Sequence, residues 1–451
     1  MKEKQMKDMT VGNPTKIILM FAIPLFIGNV FQQFYNMADA MIVGRYIDMK
    51  ALAAVGSVSS IVFAYLGFVN GVTGGFAIPV AQCFGAKKYE ELRKNMALGI
   101  ELSVLITLLF MVLGSSTLHL ILKTMKTPAD IYDQSYLYMI IIILGLSAMV
   151  TYNMMSAILR ALGNSKAPLY FLVVASIVNV VLDIVLIRNF GMGVEGAAYA
   201  TVIAQGISGL LAIAYLIKMF PELHFNKEDW KPNKEIILRL LKIGVPMGLQ
   251  YSVTAIGIMI LQSAINGFGS ETVAAYTAAR KVEQLATQVL ISIGTTVANY
   301  VGQNLGAGRY DRIKIGVRKA EIIGTIAASL GAMIAIFFGP ALIGSFVTGA
   351  EENMIRIGYF YLRFSALWFI PLAFLFVHRN SLQGMGETFV PLMAGVTELI
   401  VRVICAFGLV HWLGFFGACI GNPASWIAAA LPLIWTYYRK RKQFPITNVL
   451  H

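Results

Sequence analysis

The stretch VAQCFGA at residues 80–86 returns 221 residues later as VGQNLGA at residues 301–307, and Tyr89 returns at the same offset as Tyr310. Further pairs keep nearly the same spacing: LRALG at 159–163 with Pro168 and LQGMG at 382–386 with Pro391; IP at 23–24 and VP at 245–246; Gly193, Gly196 and Ala197 with Gly414, Gly417 and Ala418. Matches in register over most of the chain indicate an internal duplication, in which one half repeats the fold of the other.

Apolar runs occupy most of both halves. Of the 451 residues, 57% are hydrophobic and only 13% are charged, whereas a soluble domain is about 25% charged. Because a membrane helix needs about 20 apolar residues, this composition predicts membrane spans and excludes a large soluble catalytic domain. Hydropathy and Gly/Pro punctuation predict twelve spans, at residues 15–38, 52–82, 96–118, 131–157, 167–187, 194–217, 236–266, 272–301, 317–339, 353–377, 389–411 and 416–437.

The duplication divides these spans six and six. We therefore predict an all-α polytopic membrane protein in which twelve transmembrane helices form two six-helix lobes. The predicted parts are an N-terminal lobe at 1–217, a cytoplasmic linker at 218–235, a C-terminal lobe at 236–442 and a cytoplasmic tail at 443–451. An even number of spans in each lobe gives both lobes the same orientation, an arrangement suited to alternating access.

Basic residues lie in the short segments between apolar runs. Segments on the side of the N-terminus contain 26 of the 36 Lys and Arg residues, whereas the opposite loops contain only Arg45, Lys50, Lys123, Lys126 and Arg188. The positive-inside rule therefore predicts a multi-pass protein of the cell membrane with both termini in the cytoplasm. The basic loops that flank the lipid bilayer account for the net charge of +13. We therefore expect no nucleic-acid partner.

Asp183 falls inside predicted span 5, and Asp39 lies at the predicted end of span 1. A charged side chain inside the membrane costs at least about 2.5 kcal/mol. Polar residues accompany them on one helical face of each span: Gln32, Tyr35, Asn36 and Asp39 in span 1, Asn179 and Asp183 in span 5, and Thr201 and Gln205 in span 6. Two carboxyls with amide and hydroxyl oxygens could exchange a proton or coordinate a hard monovalent cation. The same groups could instead lie at a solvated end of a span or pack helices together, and their spacing leaves these alternatives open.

The second half does not repeat this chemistry, since Asp183 corresponds to Ala406 and Asp39 corresponds to position 261 or 262. We therefore expect ion coupling to reside in the N-terminal half. The second half has its own charge pairs, which could be internal salt bridges or could contact a substrate: Arg280 with Glu283, and Glu398 with Arg402.

Two further features bear on a transport cycle. Pro24 and Pro246 occupy equivalent positions in spans 1 and 7, where a missing backbone hydrogen bond permits bending. In span 4, Tyr138, Asn153 and Met154 are the expected lining of a substrate cavity.

Histidine and cysteine show no spacing typical of a metal or catalytic site. The five histidines are scattered, mostly at predicted helix ends or in loops, and Cys83, Cys405 and Cys419 are predicted to be buried thiols. We therefore predict a protein that is not an enzyme and has no cofactor. Na⁺, as a coupling ion, is the only metal ion that we expect to bind.

Six stretches resemble the multidrug and toxic compound extrusion (MATE) family of bacterial transporters: PLFIGNVFQQFYNMADAMIVG at 24–44, AAVG at 53–56, QCFGA at 82–86, LRALGNSKAP at 159–168, NVVLD at 179–183 and GAAYATVIAQ at 196–205. The resemblance implies a monomer with two six-helix lobes. It also implies a cation or proton site formed by Asp39, Asn179, Asp183 and Thr201. The implied substrate cavity includes Gln32 and Tyr35. One departure is span 7, where residues 245–267 contain no carboxylate. Coupling through an acid there, as in some members, is therefore not expected.

These features together predict a secondary transporter that exports amphipathic organic compounds, cations among them, by antiport with H⁺ or Na⁺. The main alternative is a flippase of the same superfamily for lipids or lipid-linked oligosaccharides, which would have a cationic chamber. A membrane-embedded transferase is a more distant alternative, because the sequence contains no aspartate-rich metal motif and no nucleophile constellation.

Overall fold

The chain folds into long helices connected by short turns. The structure, a computed structural model, describes residues 8–125, 127–346 and 352–445, and all regular secondary structure in these ranges is helical. The α-helices are, in chain order, α1 (Pro14–Tyr46), α2 (Met49–Gly85), α3 (Tyr89–Thr124), α4 (Tyr132–Leu144), α5 (Leu146–Ala161), α6 (Lys166–Ile184), α7 (Val194–Met219), α8 (Lys234–Asn266), α9 (Ser270–Gly306), α10 (Tyr310–Phe346), α11 (Glu352–Ala366), α12 (Phe369–Gly384), α13 (Phe389–Ile404), α14 (Val410–Leu413) and α15 (Phe415–Lys442).

Most of these helices are long and apolar enough to cross a membrane. Within the described ranges, nine helical segments qualify singly, and two further pairs of helices qualify when each bent pair is taken as one span. The remaining predicted span corresponds to α9, which has 37 residues but whose hydropathy is lowered by Arg280, Lys281 and Glu283. The structure therefore confirms the predicted fold class of an all-α, multi-span membrane protein.

Spans 4 and 10 are each broken into two helices. The chain bends by 47° between α4 and α5 and by 52° between α11 and α12. At Gly145, between α4 and α5, a Cβ would lie 2.2 Å from Val202 of α7, so the close approach requires glycine. Pro371, in the first turn of α12, cannot donate a hydrogen bond to the preceding turn, which favours the break before it.

The internal repeat extends to local backbone geometry. Gly163 and Gly386 follow α5 and α12 with φ of 83° and 82°, a left-handed conformation that glycine adopts without a Cβ clash. Just after Asp183, Val185–Asn189 form a π-helical turn, and Cys405–Leu409 form another near the corresponding place in the second half. Because the second half has no aspartate there, the π-helical turns belong to the shared scaffold.

The helices form two compact units. The first contains Ile27–Gly248, and the second contains Met9–Phe26 together with the described residues from Leu249 onward. The division lies inside α8, whose start packs into the first unit, where Leu240 is fully buried. Within the predicted linker, Asp229 accepts a hydrogen bond from Nε of Arg93 at 3.1 Å, which fixes this segment to α3.

Each unit has its own apolar interior. Phe76, Met96 and Leu159 are fully buried in the first unit, and Tyr300 and Phe369 are almost fully buried in the second. Lipid tails are as apolar as these side chains, so helix association depends on close packing and interhelical hydrogen bonds more than on removal from water. Buried polar contacts between helices are therefore the features that position a functional site.

Candidate functional site

Asp183 lies inside α6, one turn after Asn179, and both side chains are fully buried, with 0% exposure. With its amide oriented by the hydrogen-bond network, Asn179 donates to Oδ2 of Asp183 at 3.0 Å and accepts from the backbone N–H of Thr201 at 3.3 Å. The spacing of four residues places the amide and the carboxyl on one face of α6. Thr201 of α7 lies against this face of α6 and is the third polar residue there.

Asp39 of α1 meets Asp183. Because α1 continues to Tyr46, Asp39 lies well inside a helix rather than at its end. The two carboxyls lie within hydrogen-bonding distance of each other. The Oδ1 atom of each is buried and receives no hydrogen bond from any described donor. The pair therefore presents two buried acceptor oxygens.

Two tyrosines surround the paired carboxyls. Tyr35, one turn before Asp39, donates to Oγ1 of Thr201 at 3.3 Å. Tyr138 of α4 is 7% exposed and lies close enough to Tyr35 and both carboxyls to interact electrostatically with them. The structure thus brings together a set of residues that we call the carboxyl cluster: Asp39, Asn179, Asp183, Thr201, Tyr35 and Tyr138.

The chemistry of the carboxyl cluster follows from its two acids. Two carboxylates in contact repel each other strongly where little water is present. A shared proton relieves this repulsion, because a protonated carboxyl donates a hydrogen bond to its neighbour. A hard monovalent cation would also relieve it. Among the described residues, no three His, Cys, Asp or Glu side chains converge to hold a metal ion, so a cation would need amide and hydroxyl ligands in addition.

The other residues expected to line a cavity lie in more than one place. On α1, Gln32 is half-buried and Asn36 is exposed, while Gln205 of α7 is buried one turn after Thr201. Met154 lines a separate cavity of about 300 Å³, bounded by α3, α5 and α7, which we call the α3–α5–α7 cavity. Asn153 points from a different side of α5 and does not line that cavity.

The two prolines lie within continuous helices. Pro24 is inside α1, ten residues after its start at Pro14, and Pro246 is inside α8. Proline has no N–H to donate to the preceding turn of its helix. The structure thus places the prolines where bending is permitted, while a role in a transport cycle stays a prediction.

In the second unit, the charge pair of α9 is part of a larger polar network. Nη1 of Arg280 donates to Oε2 of Glu283 at 3.2 Å. Tyr361 of α11 also donates to Oε2, at 2.5 Å, and Ser365 donates to Oε1 at 3.0 Å. Glu283 is 2% exposed, and its carboxylate therefore holds α9 and α11 together with three donors.

The network continues into α13 and α15. Asn422 donates to the hydroxyl of Tyr361 at 3.2 Å and accepts from Nε of Arg402 at 3.1 Å. Nη2 of Arg402 donates to Glu398 at 3.1 Å, and Arg379 of α12 donates to the other oxygen of Glu398. Both charge pairs seen in the sequence are therefore ion pairs within one continuous network.

Sequence reasoning missed several members of this network. Arg379 follows the predicted span at 353–377, but it lies within α12, 6% exposed, beside Glu398. Tyr361 and Asn422 gave no signal, since isolated polar residues in apolar runs are common. His378, grouped with histidines at helix ends or in loops, is in fact fully buried inside α12. Its neighbours in the sequence, HRN within an apolar run, were the available signal.

Comparison with known families identifies the chain. The MatE family model matches residues 24–185 and matches again at residues 246–407. The chain belongs to the MatE family. Each match covers one half of the internal repeat. This confirms both the duplication and the resemblance noted from the sequence.

Relatives of this MatE protein match over nearly its whole length. A probable multidrug resistance protein of Bacillus subtilis, YoeA, is 28% identical and covers 94% of this chain and 94% of its own. The multidrug export protein MepA of Staphylococcus aureus is 23% identical and covers 91% of both chains. A multidrug resistance MATE family transporter solved in an outward-facing conformation is similar in fold, with 24% identity, a TM-score of 0.91 and coverage of 98% of this chain and 99% of that one. The protein is therefore a membrane-embedded member of a multidrug efflux transporter family.

Proposed function

We propose that this protein is a secondary antiporter that exports amphipathic organic compounds, cations included, while a proton moves inward through the carboxyl cluster. The observation that supports this most directly is the contact between Asp39 and Asp183, whose Oδ1 atoms are buried without a described donor. A hydrogen bond between two carboxyls requires a proton on one of them. Direct contact therefore favours H⁺ over Na⁺ as the coupling ion.

The internal repeat supports alternating access as the mechanism. A protonated carboxyl cluster would stabilise one arrangement of the two units, and a bound organic compound would stabilise the other, so that each ligand shifts the same equilibrium. Bending at Pro24 or Pro246 would supply the required freedom within α1 and α8. The names of MepA and YoeA, an export protein and a resistance protein, support outward movement of drug-like compounds.

The same proposal includes the setting of the protein. The distribution of basic residues supports the cell membrane as its location, with both termini in the cytoplasm. It acts there as a monomer, without a cofactor, and its partners are the lipid bilayer and small amphipathic molecules. It binds no nucleic acid and catalyses no covalent reaction.

The test uses purified protein in liposomes loaded with a fluorescent organic cation. Dye efflux is followed under an imposed pH gradient and, separately, under an imposed Na⁺ gradient. Asp39→Asn and Asp183→Asn are compared with the wild type, and dye binding is measured beside transport. We expect the pH gradient to drive efflux and each variant to lose about tenfold or more of the driven rate while still binding dye. Such a loss corresponds to about 1.4 kcal/mol or more of activation free energy.

A matched control is Asp130→Asn, which removes an exposed carboxylate that lies 3.9 Å from Lys50, outside the carboxyl cluster. This variant should transport dye as the wild type does. Efflux driven only by the Na⁺ gradient would assign the coupling ion to Na⁺ instead. Variants that transport as well as the wild type would contradict the role of the carboxyl cluster. Absence of transport under either gradient would contradict antiport itself and make lipid flipping the next activity to test.

A further inference from the structure

The α3–α5–α7 cavity of the first unit opens toward lipid. Val104 and Leu108 of α3 and Ile217 of α7 line it, and each is more than half exposed. Leu105 and Leu109, beside them on α3, are also more than half exposed. Both α3 and α7 are long and apolar enough to cross a membrane, and a continuous apolar face on such a helix contacts lipid. A molecule dissolved in the bilayer can therefore reach the cavity from the side.

The inner wall of the cavity is apolar and adaptable. Met96, Met154, Met155 and Leu216 line it and are all buried. Methionine side chains adjust to ligands of different shape because they are unbranched and polarizable. The volume of about 300 Å³ is at the lower end of the range of ligand pockets, about 300–1,000 Å³. The cavity therefore suits the apolar body of a small organic molecule.

Three hydroxyl groups in the lining have already used their hydrogens. Ser103 donates to a backbone carbonyl oxygen one turn earlier in its own helix at 2.7 Å, Thr107 does so at 2.6 Å and Thr151 at 2.8 Å. A hydroxyl has only one hydrogen, so each of these oxygens can offer a ligand nothing but a lone pair. The polar part of a ligand bound here must then be a donor or a cation, because an anion would meet only acceptors at these three residues.

Glu101 of α3 adds a carboxylate at the lipid-facing edge of the cavity. It precedes Val104 by three residues and Leu108 by seven, so the three side chains lie on one face of α3. Glu101 is exposed, and its carboxylate forms neither a hydrogen bond nor an ion pair with any described residue. It falls inside the predicted span at 96–118, where an unneutralised charge is costly. A positively charged ligand would remove this cost.

The basic residues nearby do not neutralise Glu101. Arg93 and Lys94, earlier on α3, form ion pairs of 3.1 and 2.8 Å with other carboxylates. Lys218 directly follows Ile217 on α7. Successive residues of a helix are rotated by about 100°, so the side chain of Lys218 is directed away from the face of α7 that lines the cavity. The carboxylate of Glu101 is therefore free to pair with a cation supplied by the ligand.

The internal repeat shows that the scaffold requires neither the carboxylate nor the cavity. At the offset of the repeat, Glu101 corresponds to Ile322, which is exposed on α10. Rings occupy the positions of three lining residues in the second half: His378 for Met155, Tyr437 for Leu216 and Tyr438 for Ile217. The two tyrosine ring centroids lie 5.2 and 5.9 Å from that of the imidazole. The second unit thus packs rings together where the first has a cavity with an acid at its edge.

We propose that the α3–α5–α7 cavity and Glu101 together form a binding site for a hydrophobic organic cation that enters from the bilayer. The apolar body of the cation lies against the methionines of the inner wall, and its positive charge lies beside the carboxylate of Glu101. The site is separate from the carboxyl cluster. Binding there requires neither a coupling ion nor transport, so the proposal does not depend on the antiport proposed above.

The test is equilibrium binding of radiolabelled tetraphenylphosphonium to the full chain in lipid nanodiscs, with binding to empty nanodiscs subtracted. Tetraphenylborate, which has nearly the same shape and the opposite charge, is the comparison ligand. All proteins also carry Asp39→Asn and Asp183→Asn, so that the carboxyl cluster offers no carboxylate to the cation. We expect Glu101→Gln and Glu101→Ile to weaken phosphonium binding about tenfold or more, as the loss of a close charge pair does. Neither should weaken binding of the borate.

Glu90→Gln is the matched control, because it removes an exposed carboxylate from the start of the same helix, where Glu90 pairs with Lys94. Its phosphonium affinity should equal that of the background protein. Ile217→Tyr introduces the ring found at the corresponding position of the second half and should block the cavity. Phosphonium binding should then fall, and adding Glu101→Gln should weaken it little further.

Three results would overturn the proposal. Equal phosphonium affinity with and without Glu101 would show that the carboxylate does not hold the cation. Unchanged phosphonium binding in Ile217→Tyr would place the ligand outside the cavity. A lipid that copurifies with the protein in native mass spectrometry, is lost in Ile217→Tyr and is not displaced by phosphonium would show that the cavity holds an acyl chain instead. None of these results bears on proton-driven efflux, which is measured separately on the protein with its carboxyl cluster intact.

Discussion

The carboxylate of Glu398 accepts hydrogen bonds from Arg379 and Arg402 at once, and all three side chains are less than 10% exposed. Glu398→Gln leaves two buried guanidinium groups without a negative partner. Removing one partner of a buried ion pair costs about 3–5 kcal/mol, so we expect a loss of this order in the free energy of unfolding. Unfolding followed by circular dichroism in detergent measures it.

Glu387→Gln is the control for this prediction. Glu387 accepts from Lys440 at 2.7 Å, but both side chains are partly exposed, and such pairs contribute about 1 kcal/mol or less. If the two variants lost the same stability, the burial of Glu398 would not be what makes it important.

Whether a residue of these sites could be predicted from the sequence depended on where its partner lies. Glu398 and Arg402 are four residues apart on one helix, and their pairing follows from helical geometry. Asp39 and Asp183 stood out because a charge in an apolar run is costly, although their contact needed the packing of α1 against α6. Tyr361 has partners on two other helices, at positions 283 and 422, and no spacing in the sequence reports such a contact.

Among the elements of the first unit, α2 and the start of α8 pack backbone against backbone. A Cβ at Gly75 would lie 2.5 Å from the Cα of Gly244, whereas a Cβ at Gly74 would meet only the end of the Met247 side chain at 3.8 Å. Gly75→Ala therefore forces two backbones apart, and we expect a loss of about 1–3 kcal/mol, the usual cost of overpacking. Melting temperature in detergent measures this loss.

The adjacent glycine provides the comparison. Gly74→Ala has room for the added methyl group and removes freedom from the unfolded chain, so its melting temperature should equal or exceed that of the wild type. A Gly75→Ala protein as stable as Gly74→Ala would show that the two helices do not pack as closely as described.

Element boundaries were predicted less well than element number. The number of spans could be predicted from the apolar runs between charged loops, because each membrane-spanning helix requires about 20 apolar residues. The break at Gly145 depends on Val202 of a different helix, and so it could not be found from local pattern. The break before Pro371 had a local signal, since proline removes a donor from the helix. The π-helical turn after Asp183 had none.

Across the whole molecule, the two halves of the repeat keep the same helices and differ in their buried polar residues. The first unit contains the carboxyl cluster and an apolar cavity, while the second contains the arginine and glutamate network. The number of helices, their bends and the turns at Gly163 and Gly386 depend only on close packing of helices and on glycine at particular positions. The polar residues can therefore change without loss of the fold, which explains why the duplication predicted the architecture but not the chemistry of the second half.

The orientation of the whole chain is tested by labelling single introduced cysteines in intact cells with a membrane-impermeant maleimide. The three native cysteines are buried, at 4%, 2% and 0% exposure, so the wild type should give little background. Lys227 and Arg188 are both exposed. Lys227 lies between α7 and α8, and Arg188 lies in the π-helical turn that ends the span begun by α6. The positive-inside rule predicts that Lys227 lies in the cytoplasm and Arg188 outside. Arg188→Cys should therefore be labelled in intact cells and Lys227→Cys only after the membrane is permeabilised. The reverse pattern would invert the topology, and with it the direction of proton movement proposed through Asp39 and Asp183.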